Sequence, residues 1–384
     1  MNAPVYLDYN ATTPVNPEVA DAIEPYLREH FGNPSSSHVY GQRAHAAVEQ
    51  ARARVAALIG ALPGEIIFTS CATEANNLAI RGVARALREK GRHLITSAVE
   101  HPAVSQPCKR LEEDGWELSV VPVDRYGRIE PDDILQVIRD DTVLVSIMHA
   151  NNEVGTIQPI EQIAAITQQH GTLLHTDAAQ STGKIPVNVD LLGVDLLTLA
   201  GHKFYATKGV GALYVRRGTP INPLLVGAGH EQGLRPGTEN VPAIVGLGKA
   251  AEIAMQKGPE NASHLLELRE HLHRLLQQGV QGLKLNGHPE QRLPNTLNLS
   301  FPEVGGRELL LLAAETVAAS VGSACHEQGD AVSGVLGAMG ITAERARGAV
   351  RLSLGMPTTP EDVERAASAL INAWVKQRGH PLIR

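Results

Sequence analysis

Short apolar, β-branched runs alternate with amphipathic stretches through the first two-thirds of the chain. "EIIFTS" leads into "TEANNLAIRGVARALREKG", where Ala75, Leu78, Ala79 and Val83 recur at helical spacing. "HLITS", "ELSVVPV", "TVLVSIM", "TLLHT" and "DLLTLA" follow, each apolar enough for a buried strand. Helix candidates such as "PIEQIAAITQQHG", with Pro at its start and Gly after its end, lie between most of them. Apolar strands separated by helices predict an α/β fold, a mostly parallel sheet covered by helices on both faces. "VGALYVRRG" follows its predecessor after a short connection and predicts an antiparallel addition.

From about Asn261 the rhythm changes. "NASHLLELREHLHRLLQQGV" predicts a long helix, followed by "LKLNG", "TLNLSF", a further helix, a cysteine-bearing loop and "AVRLSLG". The last helix has Thr359 as N-cap, Pro360 next and acids in the first turn, with Val363, Ala367, Leu370 and Trp374 as its apolar stripe. This predicts a smaller α+β domain. No internal repeat or long linker interrupts the chain.

Bulk properties narrow the class. The 384 residues suit two domains, and 43% hydrophobic with 20% charged residues is ordinary for a globular protein. A net charge of −7 without basic blocks argues against nucleic acid or an anionic membrane as partner. "MNAPVYLDYN" lacks the basic and apolar runs of a signal peptide, and Glu315 breaks the most apolar segment. Cys71, Cys108 and Cys325 form neither a disulfide framework nor a zinc spacing, which points to a reducing, cytoplasmic setting.

In α/β sheets ligands gather at the carboxyl ends of strands. Thr73 opens a helix after "EIIFTS", where free N–H groups suit a phosphate; a plain N-cap is the structural alternative. His101 follows "HLITS", and a lone histidine is often a satisfied structural group. Asn152 lies in "HANNEVGT", which also reads as a turn. Asp177 leaves an apolar strand and needs a partner. His202 and Lys203 end "DLLTLA", and burial there lowers a lysine toward nucleophilic range, unless the side chain snorkels outward. A phosphate site, a His, an Asp and a strand-end Lys on one edge are the parts that pyridoxal 5'-phosphate chemistry requires. A metal hydrolase using His101, His175 and Asp177 is the competing arrangement.

The ordered motifs "YLDYNATTP", "FGNPSS", "EIIFTSCATEANN", "VEHPAV", "ANNEVGTIQPI", "HTDAAQSTGK", "GHKFY", "RPGTEN", "RLPNTLNLSF", "GSACH" and "RLSLG" resemble cysteine desulfurases and selenocysteine lyases over nearly the whole chain. The resemblance implies a homodimer of the aspartate-aminotransferase type (fold type I) with a seven-stranded-type sheet. It also implies a large cofactor domain at 13–257 and a small domain of 1–12 plus 258–384. By motif position, Lys203 would carry pyridoxal phosphate, Asp177 pair with its ring nitrogen and Gln180 with its ring hydroxyl. His101 would stack on the ring and move protons. Thr73 and His202, with Thr238 from the other subunit, would bind phosphate, while Asn152 and Arg351 would hold the substrate carboxylate. Cys325 would take the sulfur as a persulfide. The implied reaction turns L-cysteine, or L-selenocysteine, into L-alanine and passes the sulfur to an acceptor protein for iron–sulfur clusters or other products; no metal is involved. A transaminase using the same cofactor is a remoter alternative. Ala200, Cys71 and "ATKG" (Ala206 to Gly209) depart from the common pattern, and no extended tail of the kind that docks a scaffold protein follows the last helix.

Overall fold

The computed structural model describes residues 3–322 and 333–379. Its strands are β1 (Val5–Tyr6), β2 (Ile66–Thr69), β3 (His93–Ser97), β4 (Glu117–Val121), β5 (Thr142–Ser146) and β6 (Leu173–Asp177). They continue with β7 (Leu196–Ala200), β8 (Gly211–Val215), β9 (Lys284–Asn286), β10 (Thr296–Ser300), β11 (Val317–Ala318) and β12 (Ala349–Ser353).

The large sheet has seven strands in the order β2-β8-β7-β6-β5-β3-β4. All its pairings are parallel except those of β8, which runs antiparallel to both neighbours. The short link from β7 to β8 leaves no room for a crossover helix, so the chain turns straight back. β2, β3, β5 and β7 are buried along their whole length, and β6 from its second residue on. Two apolar cores explain why. One face meets helices Pro17–Arg28, Val39–Ile59 and the start of Val241–Gly279; the other meets Ala72–Ala86 and Pro102–Glu113.

A third core joins Val5 and Leu7 to β10, β12 and the last helix, Pro360–Arg378. That helix starts with a capping box between Thr359 and Asp362, and its predicted stripe is buried. The long helix runs unbroken from Val241 to Gly279, twenty residues earlier than the Asn261 start expected from sequence. Its first half packs in the large-sheet core and Leu265, Leu268, Leu272 and Leu276 pack in the third. Gly246, Gly248 and Pro259 dilute its helical signal, but a Cβ at Gly248 would collide with Ala51 of the neighbouring helix. Packing overrides propensity there.

The N-terminal strand region runs between the two parts of the molecule. β1 pairs with β11, and Asp8 bridges to Ser353 of β12. A Cβ at Gly355 would run into the Tyr9 ring, so glycine is what lets this segment lie flat on the loop after β12. The segment then delivers Asn10 and Ala11 to the edge of the large sheet. No described helix is long and apolar enough to cross a membrane.

Candidate active site

The parallel direction of β2, β3, β5, β6 and β7 brings their carboxyl ends to one edge, and the residues picked out from sequence follow those ends. Lys203 sits in the tight turn after β7, with its Nζ donating to the carbonyls of Asn10 at 2.6 Å and Ala11 at 2.7 Å. Burial, with Arg351 nearby, pushes its amine down to about 8, against the opposing pull of Asp8 and Asp177. The lysine therefore does not snorkel; its head is held inside by backbone acceptors.

Asp177 closes β6. Its Oδ2 accepts from Asn76 Nδ2 at 2.7 Å and its Oδ1 from the Ala179 N–H at 3.0 Å. Asn76 is fully buried on helix Ala72–Ala86 and orients the carboxylate from below. Gln180 Nε2 donates to the Asn10 carbonyl at 3.0 Å, and Gln180 Oε1 accepts from Lys184 Nζ at 2.8 Å. His202 Nδ1 lies 3.1 Å from Thr12 Oγ1; burial and the lysines around it push the ring down to about 4, so it is neutral near pH 7.

His101 is the N-cap of helix Pro102–Glu113, its Nδ1 accepting from the Ala103 N–H at 3.1 Å. That bond puts the proton of the neutral ring on Nε2. Burial lowers the ring's pKa, as does Lys203, while Asp177 raises it. Thr73 is not an N-cap: Cys71 holds that position and makes no side-chain cap bond. Thr73 is exposed in the first turn, where uncapped N–H groups and the helix dipole favour an anion.

Arg351, on β12, is buried. Its Nη2 donates to Asp8 Oδ1 at 2.7 Å and its Nη1 to the Asn152 carbonyl at 3.2 Å. Its Nε has no partner among the described residues. A buried guanidinium with a spare donor is ready for a further carboxylate.

Thr238 stands apart. It is exposed just before the long helix, and no hydrogen bond among the described residues links it to Lys203. Cys325 lies outside the described residues. Of the other cysteines, Cys108 is buried and its thiol is pushed up to about 12. His175 has Ser146 Oγ at 2.8 Å from Nδ1 and Thr198 Oγ1 at 3.1 Å from Nε2, so it is committed to the strand layer and does not join His101 and Asp177 at the edge.

Sequence reasoning missed Asp8, Asn10, Asn76 and Lys184. Asn10 is the hub: besides its carbonyl, its Oδ1 accepts from Lys184 and Asn295, and its Nδ2 donates to Thr296 Oγ1 and the Asn152 carbonyl. Lys184 had a legible signal, its position four residues after Gln180. Asn76 had another, a polar residue on the apolar face of its helix.

Comparison with known proteins decides the family. The aminotransferase class-V family model matches residues 5–366. The chain belongs to this family. Within it, the chain is 50% identical to cysteine desulfurase IscS of Dictyoglomus turgidum, covering 96% of this chain and 94% of that protein. It is 49% identical to cysteine desulfurase IscS of Methanosarcina thermophila, with coverage of 95% and 90%. Among solved structures, a NifS-like protein superposes with TM-score 0.91 at 40% identity, over 97% of this chain and 100% of that one. A structure of SspA in complex with cysteine gives TM-score 0.80 at 38% identity, over 91% and 98%. The superposition agrees with the mostly parallel, helix-covered sheet expected from sequence and seen in this chain.

Proposed function

We propose that the protein is a pyridoxal-phosphate-dependent cysteine desulfurase that converts L-cysteine to L-alanine and takes the sulfur onto Cys325. The observation that carries this reading is the amine of Lys203, buried at a strand end and pushed down to about 8, on the same edge as Asp177. The names of the relatives supply the reaction class.

The residues fit the cofactor. Lys203 supplies a nucleophilic amine, Asp177 a doubly held carboxylate for the ring nitrogen, and Gln180 an amide for the ring oxygen. Thr73 and the first turn of its helix, with His202, suit the phosphate. Bound there, pyridoxal phosphate supplies an electron sink for negative charge at the substrate α-carbon. Arg351 and Asn152 orient the substrate through its carboxylate. Lys203 Nζ, buried at this edge, would take the substrate α-proton, and the Nε2–H of neutral His101 would be a second proton-moving group. The Cys325 thiolate attacks the substrate sulfur; an S–S bond forms as the carbon–sulfur bond breaks, and that bond's electrons stay on the carbon that becomes alanine's methyl.

The working unit in this reading is a homodimer. Phe31 and Tyr40 stack 5.5 Å apart on the surface and are 73% and 52% exposed, an apolar face that a second copy would cover. Thr238, exposed and unlinked to its own subunit's site, then serves the phosphate of the other. The large domain comprises 13–257 and the small one 1–12 with 258–384. The setting is a reducing cytoplasm, and the persulfide sulfur passes to an acceptor protein.

L-cysteine and L-selenocysteine are both expected to yield L-alanine with the cofactor-loaded protein, because both present a group-16 atom to the same thiolate. An amino-acid assay that finds no alanine from either one contradicts this. Arg351→Ala should raise the KM for L-cysteine roughly 10- to 100-fold, the loss of a charge-assisted bond to the carboxylate. An unchanged KM would remove Arg351 from the substrate site.

A further inference from the structure

Lys184 has no part in the chemistry above, yet it is buried beside it. Its Nζ donates to Gln180 Oε1 at 2.8 Å and to Asn10 Oδ1 at 2.9 Å. On its other side, Gln180 Nε2 donates to the Asn10 carbonyl at 3.0 Å, the carbonyl that also accepts from Lys203 Nζ at 2.6 Å. A backbone carbonyl can only accept, and the lysine donates, so the two ends of the Gln180 amide are assigned without ambiguity. The nitrogen is on the Asn10 and Lys203 side, with one N–H in use and one to spare.

We propose that Lys184 is a positioning residue for the cofactor: it pins the Gln180 oxygen so that the amide offers an N–H, and not its oxygen, to the ring oxygen of pyridoxal phosphate. This rests on the reading of the site as a pyridoxal-phosphate site. Burial, with Lys203 and Arg351 close by, holds Lys184 well below the usual lysine range, and its Nζ spends two N–H groups on its two bonds. An N–H aimed at the ring oxygen stabilises that oxygen's anionic form. Once the pin is gone, only the Asn10 carbonyl holds the amide, its spare N–H is no longer fixed on the ring oxygen, and deprotonation then requires higher pH.

Several other groups share the neighbourhood. Asp8 and Arg351 approach Lys203 from the small-domain side, and Asp177 lies at its strand end. The charge of Lys203 disfavours protonation of His101 and His202, and Tyr9 and Tyr205 line the small cavity behind Lys184 and Lys203. The test leaves all of them in place.

The experiment titrates the visible absorbance band of the loaded protein against pH in wild type, Lys184→Met, Gln180→Ala and the double variant. Cofactor affinity and the melting of the unloaded protein are measured alongside. Lys184→Met should raise the transition by about one pH unit and weaken pyridoxal phosphate binding roughly tenfold. In the Gln180→Ala background the same replacement should add nothing, since its effect passes through Gln180. A wild-type transition in Lys184→Met, or an equal shift with and without Gln180, overturns the proposal. If Lys184→Met shows no cooperative melting, Lys184→Gln takes its place in the same cycle, judged by the same two results. A wild-type protein that develops no visible band with pyridoxal phosphate overturns the functional reading and this inference together; a normal wild-type band with an unshifted variant overturns this inference alone.

Discussion

Lys203→Ala is expected to give a protein that forms no borohydride-reducible link to pyridoxal phosphate and loses at least about 10³-fold in alanine production. Two roles go at once: the amine that holds the cofactor and the base that takes the α-proton. The Ala11 carbonyl that now accepts from Nζ loses that donor, while the Asn10 carbonyl keeps the one from Gln180 Nε2. The burial that makes this lysine useful also sets a pH dependence. With its pKa lowered to about 8, the fraction of free amine rises with pH through that value and levels above it. Capture of pyridoxal phosphate by the unloaded wild-type protein should follow the same curve, whereas an ordinary lysine would still be gaining free amine near pH 10. Stopped-flow absorbance distinguishes the two profiles. Full covalent loading of Lys203→Ala would assign the cofactor to another amine.

Cys325→Ala is expected to bind the cofactor and L-cysteine with near wild-type affinity while desulfuration falls by roughly 10³-fold or more. The chemistry needs a thiolate that can reach the substrate sulfur. Cys108 is unsuited, sealed in the core with its thiol pushed up to about 12. Cys71 starts the helix at the proposed phosphate end and not at the proposed substrate end, where Arg351 lies. The variant also separates reactions. A transaminase would need no thiol and would keep converting amino and keto acids; undiminished desulfuration in Cys325→Ala would rule out the persulfide route.

Much of the architecture was legible because it follows from local rules. The apolar strands, the reversal at β8 and the capped last helix each come from a few neighbouring residues. The residues at strand ends were legible too, since a parallel sheet sends every carboxyl end to one edge. The helix start at Cys71 shows the limit of that reading. Thr73 has the better capping side chain, but the chain enters the helix two residues earlier. Asn10 was out of reach for a different reason. It lies 193 residues from Lys203, and nothing near it in sequence signals a carbonyl shared by Lys203 and Gln180. Asp8 is similar: its ion pair with Arg351 joins β1's end to β12 across 343 residues. Contacts that close such long loops are fixed by the assembled fold and leave no spacing to read.

The central claim is that sulfur leaves L-cysteine for Cys325. One turnover settles it: loaded wild-type protein in excess over L-cysteine, without an acceptor thiol, quenched and digested for mass spectrometry. The account predicts one alanine per cysteine consumed and the Cys325 peptide heavier by one sulfur atom. Alanine formed in full beside an unmodified Cys325 peptide would contradict it.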